Sequence, residues 1–561
     1  MQNKKENPLA FWIGVIRGVV VLLFLIGWIA ACNMGVDPEP EPEDTNNLIV
    51  QPVVVSATGM QELTNELNQS VAPLKDGGFA IVWTAGDSIS SWSVMMQWVD
   101  AQGNLRQQNG AQRITLSNED VRDAVVIARP AGGVYVAFSQ VDGQAYQVKV
   151  QAFDQTMTPL WPEPVHTSIF AGSWETQTEP CLAPAPSGGV YVSYGCHNES
   201  EKYNVKCQQL DTAGNRMWGE TGITLCANYG FVTYPRAVPD NSGGLYVFWL
   251  NLRDISAPVR ERVLVEGQHI VAAGSKTWGN EPKVIHTTNT LARSGYSYTD
   301  FMAAPDGLGG AIVAWYDDLD IHDSQWDVLA QKVNIDGVLI WNQGVILNDA
   351  SRNYGPDHII AANDGGVFIS LREYISESAF RLWIQRLGAN GEKLWGISGI
   401  ELSNPDEQRL NYKVYGYFTG KYLNLCWTCQ SVPYTYDFDV VMARLKADGT
   451  LMDPPGGVVL DDTVDKQFSR GMVYNEVSRE YFVLWEDSRR SLTWDDFDIY
   501  GAILKNGASS PASTQISCPV SRLSPARKPA AQIPFRFGNK ELPPHRSFYL
   551  PGQKVVYREE K

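Results

Sequence analysis

The stretch LDTAGNRMWGETGITL, Leu210 to Leu225, settles the fold because it does not stand alone. Close versions return as VNIDGVLIWNQGVIL (Val333 to Leu347) and LGANGEKLWGISGIEL (Leu387 to Leu402). Each has a turn ending in glycine, a tryptophan shortly after it, and a short apolar run. A catalytic signature usually occurs once. A segment that returns at a fixed interval is architecture, and repeats are read before sites.

A second mark runs in step with the first. A Gly-Gly turn precedes a strand-like run in DGGFAIVW (Asp76 to Trp83), AGGVYVAF (Ala131 to Phe138), SGGVYVSY (Ser187 to Tyr194), SGGLYVFW (Ser242 to Trp249), LGGAIVAW (Leu308 to Trp315) and DGGVFISL (Asp364 to Leu371). Degenerate copies end at Trp427 and Trp485. The last positions of the eight copies are 55, 56, 55, 66, 56, 56 and 58 residues apart. The long interval predicts an insertion in the fourth unit, around VEGQHIVAAGSKTWG (Val265 to Gly279).

Each unit reads as four strands. A short apolar segment such as AVVIARP precedes the Gly-Gly turn, and the turn's own strand follows. After a variable polar loop comes a strand with a recurrent glutamine: Gln97, Gln151, Gln208, Gln331 and Gln385. The glycine–tryptophan turn then leads to a fourth strand such as GITL or GVIL. Alternating apolar residues bounded by Gly, Asp and Asn turns signal strands and hairpins. Four strands repeated eight times predict an all-β chain, a single closed eight-bladed β-propeller of four-stranded blades.

The chain ends supply a separate check. The eighth unit stops after its third strand, IYGAILKNG (Ile499 to Gly507), while QPVVVSATG (Gln51 to Gly59) resembles a fourth strand and has no unit of its own. An N-terminal strand that completes the last blade closes the ring and removes the open edge.

The pattern Asp-x-x-Gly-x-x-x-Trp, as in Asp211, Gly214 and Trp218, resembles the tryptophan-docking motif of the eight-bladed quinoprotein-like propeller superfamily. That superfamily includes quinone-dependent dehydrogenases and a lipoprotein scaffold of the outer-membrane β-barrel assembly machinery. The combined Gly-Gly, Gln and Trp pattern is also similar to tandem repeats of bacterial surface proteins. The resemblance covers about Leu48 to Gly507 and implies architecture more than activity.

Four regions are expected along the chain. Residues 1–31 read as a signal peptide: Lys4, Lys5 and Arg17 precede the apolar run Gly18 to Ala31. The sequence Ile29-Ala30-Ala31-Cys32 resembles a bacterial lipobox and implies lipidation at Cys32, with the membrane engaged by that anchor only. Residues 32–47 read as an acidic, Pro-rich tether. Residues 48–507 form the propeller. Residues 508–561, with nine Lys/Arg against three Asp/Glu, form a basic, Pro-rich tail expected to be poorly ordered. The expected location is the bacterial cell envelope, exported and lipid-anchored at the outer membrane, with a monomeric ring. A net charge of −17 argues against nucleic acid as a partner, because phosphate binding needs a basic face.

No catalytic constellation emerges from the sequence. The seven histidines show no metal-ligand spacing, and nucleophile-elbow and phosphate-loop motifs are absent. GSKTWG, from Gly274, is a fragment of a sialidase-type box. The Cys426-Trp427-Thr428-Cys429 sequence lies at a strand end rather than a helix N-terminus, which argues against a redox motif. Cys181, Cys196, Cys207 and Cys226 fall on four successive strands, so neighbouring-strand disulfides are conceivable. No cofactor is expected, although Asp317, Asp320, Asp495 and Asp498 in acidic loops are weak calcium candidates. Asp327, Asp439 and Asp498 precede third strands at one equivalent position, which predicts loop capping or pairing with Arg489.

The expected function is a non-catalytic binding or scaffolding propeller that engages a protein or glycan through one face. Trp92, Trp326, Tyr434, Tyr436 and Trp494 are the candidate ligand-facing aromatics. The alternative is a propeller enzyme, a polysaccharide lyase or hydrolase or a quinoprotein-type dehydrogenase, or a periplasmic assembly scaffold.

Overall fold

The structure is a computed structural model that describes residues 48–506, apart from segments 56–64, 89–90, 108–109, 116–119, 144, 170–174, 199–201, 230, 254–261, 292–300, 318–325, 349–352, 377–378, 432–436, 462–465 and 490–496. Residues 50–505 lie in one compact unit. Secondary structure among the described residues is all β, in eight four-stranded sheets.

Seven sheets follow chain order. The eighth runs Leu48–Val54, Asp498–Asn506, Glu480–Asp487, Gln467–Asn475, so the N-terminal strand completes the last blade as expected. Blades are numbered 1 to 8 from the sheet that begins at Asn65–Pro73. The first strand of each blade touches the first strands of both neighbouring blades, and blade 8 meets blade 1. These inner strands therefore surround a central channel. Across the closure, Phe79 stacks on Phe482 at 5.2 Å in a core cluster that includes Val53, Val55, Ile499 and Ile503.

Second and third strands are enclosed by neighbouring blades on both faces. Asp327–Val333 is buried at every position, so such strands read as apolar runs rather than as alternation. Fourth strands lie outermost and are short, two residues each in blades 1, 2, 5 and 6. Short edges offer little template for pairing with another chain.

The repeat marks now have causes. In SGGVYVSY, Gly188 has a φ of +83°, which a side chain resists. A Cβ on Gly189 would lie 2.2 Å from the Leu210 carbonyl oxygen. Both glycines are required by the hairpin. The recurrent glutamine clamps the tryptophan turn. Gln331 Oε1 accepts from the backbone N–H of Trp341 at 2.9 Å and from that of Lys332 at 2.9 Å, and its Nε2 donates to the Asn342 carbonyl at 3.2 Å. Gln97, Gln151, Gln208 and Gln385 each accept from the backbone N–H that follows and donate to a carbonyl in that turn.

The tryptophan itself ties one blade to the next. Nε1 of Trp161, Trp218, Trp278 and Trp341 donates to the carbonyls of Thr212, Ala272, Ile335 and Ala389 at 3.1, 3.2, 2.9 and 3.0 Å. The glycine of the receiving turn lies flat against the indole. On Gly391, with a φ of +85°, a Cβ would come within 3.0 Å of Trp341.

One expectation changes. Val265–Gly279 is not an insertion but an ordinary third strand, Arg262–Ile270, with its docking turn. Gln268 supplies the clamp there, donating to the Gly279 carbonyl at 3.0 Å and accepting from the Trp278 N–H at 3.1 Å. The extra residues of blade 4 must lie elsewhere in the unit. GSKTWG is that docking turn.

Candidate functional site

The inner strands are not regular. Register slips by one residue between Arg122 and Val125, Thr178 and Cys181, Pro356 and His358, Tyr412 and Tyr415, and Ser469 and Gly471. A bulge re-aims side chains and bends its strand. The bulges carry Asp123, Glu179, Asp357, Lys413 and Arg470. All five are polar residues on the strands that surround the channel, near the rim where blades cross over. Three of them take left-handed backbone: Asp123 at +57°, Glu179 at +57° and Lys413 at +59°. Such conformations are costly for a residue with a side chain and persist where surrounding structure imposes them.

Hydrogen bonds hold the bulges in place. Asp123 Oδ2 accepts from Ser139 Oγ and from the Glu179 backbone N–H in the next blade, both at 3.3 Å. Asp357 Oδ2 accepts from the Val414 N–H at 3.0 Å. Ser469 Oγ donates to the Lys413 carbonyl at 2.6 Å, and the Ser469 N–H donates to Thr428 Oγ1 at 2.9 Å.

Blades 6 to 8 converge on Lys413. Its Nζ lies 5.1 Å from the Phe468 ring centre and 5.9 Å from that of Tyr412. Asp357 pairs with Arg372 at 3.6 Å, and Arg470 pairs with the buried Glu486. Among the described residues no carboxylate lies within ion-pair distance of Lys413. Burial, and the charge of Arg470 beside it, pull its ammonium down to about 7. Burial keeps the Tyr415 hydroxyl protonated up to about 12, and raises Tyr412 as well. The His358 ring lies tilted against Tyr415 with centres 5.4 Å apart, and enclosure lowers its imidazolium to about 4. The result is a half-buried neutral-prone amine and two protonated phenols on inner strands, with two guanidinium groups, each held by a carboxylate, close by.

Other buried polar groups are spent inside blades. Glu175 pairs with Lys206 at 2.6 Å and accepts from Asn198 and Gln177. Glu266 accepts from Trp249 and Asn251. His269 bridges Asp240 at 2.9 Å and Thr277 at 2.7 Å in the turn of blade 4. The equivalent turn in blade 5 uses Asp306 with Lys332, and in blade 6 Asp364 with Arg386. That recurrence makes His269 one of a set of turn braces.

The sequence-derived site residues scatter. Trp326 is half-buried and packs against Tyr316 and Tyr374, each with ring centres 6.0 Å away. Trp92 is half-buried against the core shared by blades 1 and 2. Asp317 is fully buried and bonds His286 at 2.8 Å. Asp498 pairs across strands with Asp487. Arg489 pairs with Asp461 and Asp487. Cys32, Asp320, Tyr434, Tyr436, Trp494 and Asp495 lie outside the described residues. Among those described, no group of three or more His, Cys, Asp or Glu is arranged to hold a metal ion.

All six described cysteines are free thiols. In blade 3 the strand register sets Cys181 opposite Ser193, Cys196 opposite Gln177 and Asn204, and Cys207 opposite Ser193 and Ile223. No two cysteines face each other, so the neighbouring-strand disulfides are not formed. Cys426 and Cys429 are three apart on one strand and point to opposite faces. Cys429 lines a cavity of about 190 Å³ with Glu407, Arg409, Asn411 and Asp439. Burial pushes its thiol up to about 11, too high for a nucleophile.

Lys413 and its neighbours escaped the sequence reading because only the end of each inner strand, beside the Gly-Gly turn, was read as strand. A signal was present. A polar residue interrupts the apolar inner segment in successive units, as Asp123 and Glu179 do 56 residues apart.

No protein-family model matches the chain, and no curated protein matches it. Solved structures do resemble it. Puromycin hydrolase aligns with a TM-score of 0.41 at 14% identity over 77% of this chain and 59% of its own, so the chain spans about 59% of that enzyme's length. A PL25 ulvan lyase aligns at 0.37 and 11% identity, covering 67% and 90% of the two chains. The α-L-arabinanase of Penicillium chrysogenum aligns at 0.32 and 10% identity, covering 58% and 94%. The likeness is one of fold. All three are named as enzymes, whereas the sequence put a non-catalytic binding or scaffolding ring first. The enzyme reading, second in the sequence, takes its place, and its chemistry is argued from this chain's own residues.

Proposed function

We propose that the protein is a propeller enzyme of the polysaccharide lyase or hydrolase class, working by proton transfer at the channel wall of blades 6 to 8. The observation that carries this reading is Lys413. It is a lysine without a carboxylate partner among the described residues, held in strained backbone and lowered to about 7 by burial and Arg470. A general base works best when its pKa lies near the operating pH, and burial beside another cation is how lysine reaches that range. Tyr415, protonated up to about 12, is the matching acid. The aromatic rings of Tyr412 and Phe468 beside the amine give a sugar ring an apolar face to stack on.

The test is turnover of a panel of acidic and neutral polysaccharides by the folded protein and by Lys413→Met. Loss of a general base is expected to cost about 10²–10⁴-fold in kcat. The rate should rise with pH through about 7, where Lys413 loses its proton. A Lys413→Met protein that cleaves as fast as the parent would remove the proposal.

A further inference from the structure

We infer that the substrate of this site is an acidic polysaccharide and that the reaction is β-elimination rather than hydrolysis; this rests on the enzyme reading above. The argument is one of charge. Around Lys413 stand two guanidinium groups, Arg372 and Arg470, and two carboxylates, Asp357 and Glu486. With Lys413 neutral the count is two cations against two anions. When Lys413 takes a proton it becomes three against two. The cluster thus turns net positive at the moment of proton abstraction, in a chain whose overall charge is −17. Preorganised positive charge is useful where negative charge develops in the transition state. In glycoside hydrolysis the transition state resembles an oxocarbenium ion, so positive charge develops on the sugar ring, which a net positive cluster disfavours. In elimination, the proton leaves the carbon beside a sugar carboxylate, and the charge flows onto that carboxylate.

The arrangement fits the second case. The Arg470 side chain is 20% exposed while its partner Glu486 is 1% exposed. The carboxylate therefore anchors the guanidinium on its buried side, and part of the Arg470 side chain stays exposed. A guanidinium has five donors in a fixed fork, more than one carboxylate uses. Arg372, paired with Asp357 at 3.6 Å, carries the second guanidinium.

The step balances as follows. The neutral amine of Lys413 accepts the proton from the carbon next to the uronate carboxylate. That C–H electron pair becomes a carbon–carbon double bond, and the adjacent glycosidic C–O bond breaks. The departing oxygen takes the Tyr415 hydroxyl proton. No water is consumed. Lys413 then returns its proton to the tyrosinate through solvent, and one chain end carries an unsaturated sugar.

The experiment uses the full chain with polyuronates, sulfated neutral polymers and uncharged polymers, reading both reducing ends and the ultraviolet absorbance of the unsaturated product. Cleavage confined to polyuronates, with absorbance rising in proportion to new ends, is the expected result. A sulfated polymer lacking uronate should bind and not be cleaved, because sulfate supplies charge but no acidic C–H beside a carbonyl. Arg470→Gln would leave Glu486 buried and unpaired, so the double variant Arg470→Gln with Glu486→Gln is made beside it. In that variant KM for the polyuronate should rise about 10- to 100-fold, the scale of a lost charge-assisted contact. Added salt should raise the parent's KM more than the variant's. Cleavage of neutral polymers, or new ends without absorbance, overturns this inference while leaving an enzyme at Lys413. No Lys413-dependent turnover of any polymer overturns the enzyme reading itself.

Discussion

Lys413 of blade 7 points its ammonium at Phe468 of blade 8, with Nζ 5.1 Å from the ring centre. A lysine that faces an aromatic ring and an arginine, with no carboxylate in ion-pair distance among the described residues, is placed where its charge is poorly compensated. That placement lowers stability and, in the proposed reading, prepares a base.

Replacing it should therefore separate the two roles. Lys413→Met is expected to abolish turnover and to raise stability at neutral pH by about 1 kcal/mol, the scale of relieving one functional compromise. The folded value of about 7 lies below the ordinary 10.5, so between them the unfolded chain binds more protons. Parent stability should rise as pH increases from about 7 to about 10.5, and the variant's curve should lack that rise. Denaturant titrations at several pH values measure it.

His358 carries the opposite end of the pH range. Enclosure lowers its imidazolium to about 4 from 6.5. The unfolded chain again binds the proton more tightly, so stability should fall as pH drops from about 6.5 through about 4. A His358→Phe variant should unfold less steeply over that interval. Melting temperatures of both proteins from pH 7 to pH 4 would decide it, and parallel curves would count against the assignment.

Blade-to-blade docking should be expensive to break. Trp341→Ala removes the indole and its bond to the Ala389 carbonyl and is expected to cost about 3–5 kcal/mol. Gly391→Ala keeps the tryptophan but meets both a φ of +85° and the indole within 3.0 Å. About 1–3 kcal/mol is expected. Chemical denaturation with tryptophan fluorescence reads both.

The glutamine clamp is a separate contribution. Gln331→Leu leaves the N–H groups of Lys332 and Trp341 without their acceptor, at an expected cost of about 1–3 kcal/mol. Gln331→Glu retains an acceptor but loses the donor to Asn342, and should fall between parent and Leu variant in the same titration.

Ring closure can be probed at Val53, which is 4% exposed in the core shared by the last and first blades. Val53→Asp buries a charge there and should release the N-terminal strand from Asp498–Asn506. The open edge should then promote self-association, visible by light scattering. A monomeric, fully stable Val53→Asp protein would mean that closure does not depend on this strand.

Much of this protein was legible in the sequence, for a physical reason. Each repeated residue serves a local need that recurs in every blade. Gly189 must clear a carbonyl oxygen, Gln331 must hold its turn, Trp218 must reach the next turn, and the unmatched strand at the N-terminus must close the edge. Such needs are met by residues a few positions apart or one repeat apart, so they print a period. Even Gln268, which the sequence reading passed over, follows that rule once its strand is placed.

The channel site is a different matter. Asp357, Arg372, Lys413, Arg470 and Glu486 come from three blades and span 130 residues of chain. No one of them repeats at the equivalent position of a neighbouring blade. Asp357, Lys413 and Arg470 share a register slip in an inner strand, while Arg372 and Glu486 lie on second strands. The sequence alone determined the ring, since eight copies of one packing problem have one solution. Only the tertiary structure, by closing that ring, brought a lysine, two arginines and their carboxylates near one another and set the lysine's affinity for its proton.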